Sequence, residues 1–306
     1  MVGGANIDIG GRSFDTLIQR DSNPGTVGVS LGGVGRNIAH ALSLLGVSVR
    51  LVTALGEDHF AEKIRRSCAQ LGIDLSCSNT VDNGRTSVYL YISGCDGDMA
   101  AAVSDMEICK AITPEHLHRC LPVLNDAELI VVDTNIPHEA LCFLADNIRK
   151  PLFVDPVSIK KSAGILPVLN RVHTLKTNKI EGEALSGVCI SNEKTLCDAA
   201  SVLLSYGLTR VFITLGEKGA LAADGKEMLF VSGPFVSAHS ATGAGDVFMA
   251  AVVRAFTDGW SLDETCRYAS AAASLTVESD GTVDPELSDD RVKNRAQDMS
   301  VRALSF

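Results

Sequence analysis

Apolar and polar positions fall into two rhythms along this chain. From about residue 126 onward, short apolar runs alternate with stretches of helical spacing. "ELIVVD" (128–133) ends in Asp133 and gives way to "PHEALCFLADNIRK", whose apolar positions recur at helical intervals. "PLFVDP" (151–156), "VHTLKTN" (172–178) and "TRVFITLG" (209–216) read as further strands, with helical "EGEALSG" and "EKTLCDAASVLLSYG" between them. Strands that are apolar throughout and alternate with helices predict a mainly parallel sheet covered on both faces. "KGALAADGKEMLFV" (218–231) breaks the pattern and reads as a hairpin turning at Asp224-Gly225. "LDETCRYASAAASLTV" reads as a helix with small residues along one side.

The second rhythm is strict alternation, and it comes early. "TVGVSL" (26–31) alternates, and so does "TSVYLYI" (86–92), where Val88, Leu90 and Ile92 face away from Tyr89 and Tyr91. Asp96-Gly97 then turns the chain into "MAAAVSD" (99–105). These stretches predict half-buried antiparallel strands. They make a small accessory sheet, contributed by about 7–31 and 84–105, on one domain spanning 1–306. A sheet with one apolar face closes over a site or pairs with a second subunit, so a homodimer through this sheet is expected. The start, "MVGGANID", offers almost no apolar run before Gly3-Gly4, where a first core strand would have several more residues upstream: either the chain has been clipped or its start is unusually short. No repeat, low-complexity segment or linker interrupts the chain.

Composition narrows the class. The 306 residues are 46% hydrophobic, enough for a substantial core. A net charge of −10 argues against nucleic acid as a partner, because phosphate backbones recruit basic surfaces. No apolar run reaches bilayer-spanning length, and no basic-then-apolar leader opens the chain, so no membrane and a cytoplasmic location are expected. The nine cysteines include no C-x-x-C pair and read as buried free thiols.

Four motifs carry candidate chemistry. "LGGVGRNIAHALSLLG" (31–46) joins a glycine-rich turn to a helix starting near Asn37. Ile38 stands where a dinucleotide fingerprint needs its third glycine, which counts against an NAD-dependent oxidoreductase. Arg36 and Asn37 read as exposed polar groups beside bare backbone, suited to a polyhydroxylated ligand. In "TNKIEGE" (177–183), Asn178 and Glu181 are spaced as a capping box, and equally as oxygen ligands for a hydrated Mg²⁺ and its phosphate. "TLGEKG" (214–219) is either a glycine-rich turn or a place where Thr214 and the Gly216 and Gly219 amides approach nucleotide phosphates. In "HSATGAGDVFMAAVV" (239–253), Gly243, Ala244 and Gly245 leave bare backbone ahead of Asp246 and a long apolar helix. An acid there caps the helix, or it takes a proton from a hydroxyl attacking a phosphate held by the helix amides.

Taken in order, these motifs resemble the ribokinase-like (PfkB) carbohydrate kinases from end to end. The resemblance implies a three-layer α/β/α sandwich with a mainly parallel central sheet and a small β-sheet lid. It implies Asp246 as catalytic base, with the amides of Gly243, Ala244 and Gly245 as the anion hole. It implies Asn178, Thr214, Gly216 and Gly219 on ATP, Glu181 on Mg²⁺ through water, and Asn6, Asp8, Gly32, Gly33 and Asn37 on ribose hydroxyls. "DSNPGTVGVSLGGVGRNIAHALSLLG", "SDMEICKAITPEHL", "VVDTNIPHEAL", "FVDPVS" and "HTLKTNKIEGEALSG" are similar to the members that phosphorylate the 5′-hydroxyl of pseudouridine. On that resemblance Arg36 joins the substrate residues, and Asp105 and Asn135 are the candidate acceptors for the extra ring N–H of that base. Many relatives carry an acid, linked to a monovalent cation, where this chain has Ser240. A hydroxyl is a weaker cation ligand than a carboxylate, so the resemblance leaves Ser240 and Thr242 as candidate monovalent-cation ligands without implying K⁺ activation. A kinase for another ribonucleoside or ribose, and a nucleotide-binding protein without catalysis, are the alternatives.

Overall fold

The computed structural model describes residues 1–234, 236 and 242–305. In chain order the elements are β1 (Asn6–Ser13), β2 (Gly25–Gly32), α1 (Val34–Leu44), β3 (Ala54–Leu55), α2 (His59–Gln70), β4 (Asn79–Thr80), β5 (Val88–Ser93) and β6 (Met99–Asp105). Then follow α3 (Pro114–Asp126), β7 (Ile130–Asp133), α4 (His138–Asn147), β8 (Leu152–Asp155), α5 (Ile159–Ser162), β9 (Thr174–Asn178), α6 (Lys179–Ser186), α7 (Glu193–Ser205) and β10 (Arg210–Thr214). The last are β11 (Ala220–Asp224), β12 (Met228–Ser232), α8 (Ala244–Thr257), α9 (Leu262–Val277), α10 (Asp289–Ala296) and β13 (Ser300–Leu304).

The main sheet has seven strands in the order β13-β12-β11-β10-β9-β8-β7. β7 to β10 run parallel, and β10 to β13 are antiparallel to their neighbours. The parallel strands are covered on both faces, which is why β7, β8 and β10 carry apolar runs, while polar residues of β9, Lys176 among them, are buried as well. Phe153 and Phe212 enter the core beneath α1, α8 and α9, while Val154, Val211 and Ile213 enter the core beneath α4 and α7. Helices on both faces make the three-layer α/β/α sandwich. Beyond β7, Val2 bridges Val132 and Val52, both in parallel. The hairpin between β11 and β12 turns as expected, with Asp224 Oδ1 accepting the Lys226 and Glu227 N–H groups at 2.7 and 3.0 Å.

The second sheet has the order β2-β1-β5-β6. The all-antiparallel expectation is corrected at its centre, since β1 and β5 are parallel. Residues 33–87 return through α1 and α2 before β5 begins, and a crossover of that length permits parallel neighbours where a hairpin would not. Pairing aligns Val29, Ile9, Leu90 and Val103 on one face, and Ser30, Asp8, Tyr89 and Ser104 on the other. Two further expectations are corrected. Helix α1 begins at Val34 rather than near Asn37, and Cys95 and Cys189 are exposed while the other seven free thiols are buried or half-buried. No helix among the described residues is long and apolar enough to cross a membrane.

Candidate active site

The carboxyl ends of the four parallel strands carry a row of polar groups. β7 ends in Asp133, β8 in Asp155, β9 in Asn178 and β10 in Thr214, with Asp133 paired to Asp155 and Asn178 to Thr214 in register. Open α/β sheets bind ligands at this edge, where strand ends and helix starts leave backbone groups uncommitted.

Helix α8 starts over the row. Gly243 is its N-cap at φ 84°, and no side chain caps the helix. A side chain at Gly243 would also overlap the Thr282 carbonyl, so the position demands glycine twice over. Asp246 therefore does not cap its own helix. Its Oδ2 accepts a 2.8 Å hydrogen bond from Asn37 Nδ2 across the α1–α8 contact. Burial raises the Asp246 pKa to about 7, with Asp155 and then Asp133 pushing the same way, against Lys176 and the Asn37 hydrogen bond. A carboxyl that exchanges its proton near neutrality is suited to general-base work.

Lys176, two residues before the end of β9, lies under the same helix start. Its Nζ would stand 2.8 Å from a Cβ placed on Gly245, and it donates to Asp155 Oδ2 at 2.8 Å. Burial works against the charge on Lys176, but Asp155, Asp246 and Glu181 together raise its pKa, so the ammonium stays charged. Bare helix amides with an ammonium beneath them are the kind of groups that hold an anion, although Asp155 offsets much of the lysine's charge.

Asn178 and Glu181 make the capping box that their spacing allows. Asn178 Oδ1 accepts from the Glu181 N–H, and Glu181 Oε2 accepts from the Asn178 N–H, both at 2.9 Å. Burial raises the Glu181 pKa, Asp155 adds to it, and the Asn178 N–H and Lys176 oppose it. The described residues hold no cluster of three or more His, Cys, Asp or Glu side chains that would cage a metal. Mg²⁺ needs no such cage, because it keeps waters and phosphate oxygens around one or two carboxylates. A buried carboxylate beside the anion pocket fits that ion. Asn178, Thr214 and Gly216 line a cavity of about 570 Å³, together with Ile190, Leu196 and Phe230. Gly219, at φ 109°, lies against the Val231 carbonyl and shapes the turn behind that cavity. A second cavity, of about 520 Å³ and lined by Met1, Leu42 and Arg50 among others, touches none of the candidate residues.

Asn37 joins Asp246 to the start of α1, which packs on the chain leading into the first strand: the Arg36 N–H donates to the Gly4 carbonyl at 3.1 Å, with Asn6 and Asp8 just beyond on β1. Asp133 ties this segment down, accepting the Gly4 N–H at 2.9 Å and the Asn135 N–H at 2.7 Å. Asn6 Nδ2 donates to Asp8 Oδ1 at 2.6 Å, and Gly32 leaves the room that the Asp8 carboxylate occupies. Gly33, at φ 96°, turns the chain into α1 against the Gly4 carbonyl. Arg36 and Asn37 are not exposed, contrary to expectation: both are buried, Arg36 at 5% exposure. Asn135 also borders Gly4, and its Oδ1 accepts from Lys161 Nζ. Asp105 stands apart from the cluster. Register puts it on the face of Val88 and Ile7, away from Asp8, and it pairs with Arg85 at 3.7 Å. Thr242 precedes the Gly243 cap, and Ser240 lies outside the described residues.

Three members of this site carry weak sequence signals. Asp133 and Asp155 are acids closing apolar strands, and Lys176 is a cation inside a strand otherwise buried. A charge at such a place costs desolvation unless it is paired, and that cost is the signal.

Comparison with known proteins follows the geometry. The profile of the family described as pfkB family carbohydrate kinase matches residues 1–289. The chain is 36% identical over 290 residues to pseudouridine kinase of Escherichia coli (strain K12), covering 94% of this chain and 93% of that one. It is 34% identical over 295 residues to a protein of the same organism named an uncharacterized sugar kinase, covering 95% and 81%. The crystal structure of a putative sugar kinase from Clostridium perfringens superposes with a TM-score of 0.87 at 26% identity, covering 100% and 97%.

Proposed function

We propose a reaction for a chain that belongs to the pfkB family of carbohydrate kinases: ATP-dependent phosphorylation of the 5′-hydroxyl of pseudouridine. Phosphoryl transfer is carried by one observation. Asp246 is a buried carboxylate at the start of an uncapped helix, held by Asn37 and next to a buried lysine. The 36% identity to pseudouridine kinase supports the substrate.

Asp246 takes the hydroxyl proton as the ribose oxygen attacks the terminal phosphorus of ATP. The phosphorus–oxygen bond to ADP breaks, and ADP leaves with that electron pair. Amides of Gly243, Ala244 and Gly245, with Lys176 beneath, hold the transferring group and offset its growing charge. Asn6, Asp8, Gly32, Gly33 and Asn37 hold the ribose, and Asn135 borders that side. Asn178, Thr214, Gly216 and Gly219 hold the nucleotide. Mg²⁺, carried by Glu181 through water, neutralises phosphate charge when bound. The small sheet covers the sugar and excludes water, the competing acceptor. Its other face is apolar and open, with Val27 76% and Val103 65% exposed, and pairs with a second copy of the chain.

A panel of pseudouridine, uridine, adenosine and ribose, each with ATP and Mg²⁺, tests the substrate, with products identified by mass spectrometry. We expect kcat/KM for pseudouridine to exceed that for uridine about 100-fold, because a site with an acceptor for the extra ring N–H leaves it unpaired with uridine. Equal turnover of uridine or ribose overturns the assignment and favours a broader sugar or nucleoside kinase, a reading that the 34% identity to the sugar kinase also supports.

A further inference from the structure

Arg36 lies where a substrate contact is expected, yet its guanidinium points inward. Nη1 donates to the Leu31 carbonyl at 3.4 Å and to Asn37 Oδ1 at 3.3 Å, and Nη2 donates to Ser67 Oγ at 3.2 Å. Nε is buried and makes no hydrogen bond among the described residues. Asp8 on β1, Cys68 on α2 and His40 one turn along α1 complete its titratable surroundings. Burial lowers its pKa, with only Cys68 and Asp8 opposing. An apolar side chain of similar length would fill this space without desolvation. The charge is therefore to be explained by what it touches.

It touches Asn37. A side-chain amide has a donor end and an acceptor end of nearly the same shape. Turned one way, Asn37 gives Asp246 an N–H; turned the other way, it faces the carboxylate with an oxygen and repels it. Arg36 has donors only, so it can engage Asn37 only through Oδ1. That leaves Nδ2 for Asp246, 2.8 Å away.

We propose that Arg36 is a positioning residue that locks the Asn37 amide with its N–H toward the Asp246 carboxylate, keeping that carboxylate ready to accept a proton. The proposal rests on Asp246 being the base. The other charged groups facing Asp246 are Asp155 from β8 and Asp133 from β7, which disfavour its ionisation, and Lys176 from β9, which favours it. Arg36 acts on Asp246 only through Asn37, so its effect must vanish when Asn37 is gone.

The test is a ¹³C NMR titration of protein labelled at aspartate Cγ, without substrate, with the Asp246 signal identified by its loss in Asp246→Asn. Arg36→Met should raise the Asp246 pKa by about half a unit to one unit. Asn37→Ala should raise it similarly, and the double variant no further. Arg36→Lys, which keeps a donor, should restore the wild-type titration. If Arg36→Met does not fold, Arg36→Ala, which admits water beside Ser67, is read in its place. In turnover on whichever acceptor the wild type phosphorylates, loss of Arg36 should lower kcat at pH 6.5, recover at pH 8, and leave KM for that acceptor unchanged. An unmoved Asp246 titration, a full additional shift in the Asn37→Ala background, or a raised KM at constant kcat would overturn the proposal. The titration needs no substrate, so a failed pseudouridine assignment leaves its outcome readable.

Discussion

Asp246 combines two costs at one side chain. It is buried, and Asp155 stands close enough to oppose its ionisation. Its folded-state pKa of about 7 lies above the ordinary 3.8, so the folded protein holds this proton more tightly than the unfolded chain. The stability gained is complete below about pH 4 and is lost as pH rises through about 7. Catalysis needs the opposite state, the carboxylate, so kcat should rise with pH through the same range. Asp246→Asn should therefore separate the two. We expect kcat to fall about 100-fold or more with ATP binding kept. Calorimetry should find the variant's Tm above wild type at pH 8 and close to it at pH 5. Near-normal turnover in Asp246→Asn would remove the base assignment.

At the scale of elements, the site depends on how α8 begins. Its second and third residues crowd Lys176 and Asn37, so the helix can approach the strand ends only if its cap has no side chain. Gly243→Ala adds a methyl into the Thr282 carbonyl at a φ of 84°. The strain should cost about 1–3 kcal/mol, measured as a lower urea midpoint. Activity should fall further than stability predicts, because displacing α8 moves the amides and Asp246 together. Unchanged kcat in a folded Gly243→Ala protein would show that the helix start is not the anion site. The capping box at Asn178 has the same double character. Its hydrogen bonds close the start of α6, and Asn178 also lines the cavity beside Thr214.

For the whole molecule, the open question is the small sheet. Its outer face carries Val27, Val29, Leu90, Ile92 and Val103, all exposed, on strands that pair side by side. Apolar area of this kind contributes about 25 cal/mol per Å² when covered, which favours a second copy with the same face. Light scattering at micromolar concentration should give twice the chain mass, and Leu90→Lys should halve it without changing the circular dichroism. A monomeric wild type would refute the dimer. Because the same strands carry Asp8 on their inner face, the monomeric variant should also show a raised KM for the sugar substrate.

Much of this molecule was already present in its linear pattern. Apolar runs at 128–133, 151–156 and 209–216 read as strands buried on both faces, and the alternation at 86–92 as a sheet with two unlike faces. The glycines around 243–245 and the lone acid after them left two uses open in the sequence, a helix cap or an anion site; the structure shows that Asp246 does not cap its helix and instead accepts from Asn37. Proximity across the chain was not legible. That Asn37 meets Asp246, 209 positions on, that Asp155 and Lys176, 21 apart, neutralise one another beneath α8, that Arg36 turns inward to Ser67 and that β1 lies parallel to β5 are contacts set by the tertiary arrangement. Local spacing encodes the period of an element and the chemistry of its ends. Which charged groups share one buried volume is decided only when the strands take their order, since electrostatic coupling depends on distance in space and on the water that packing removes.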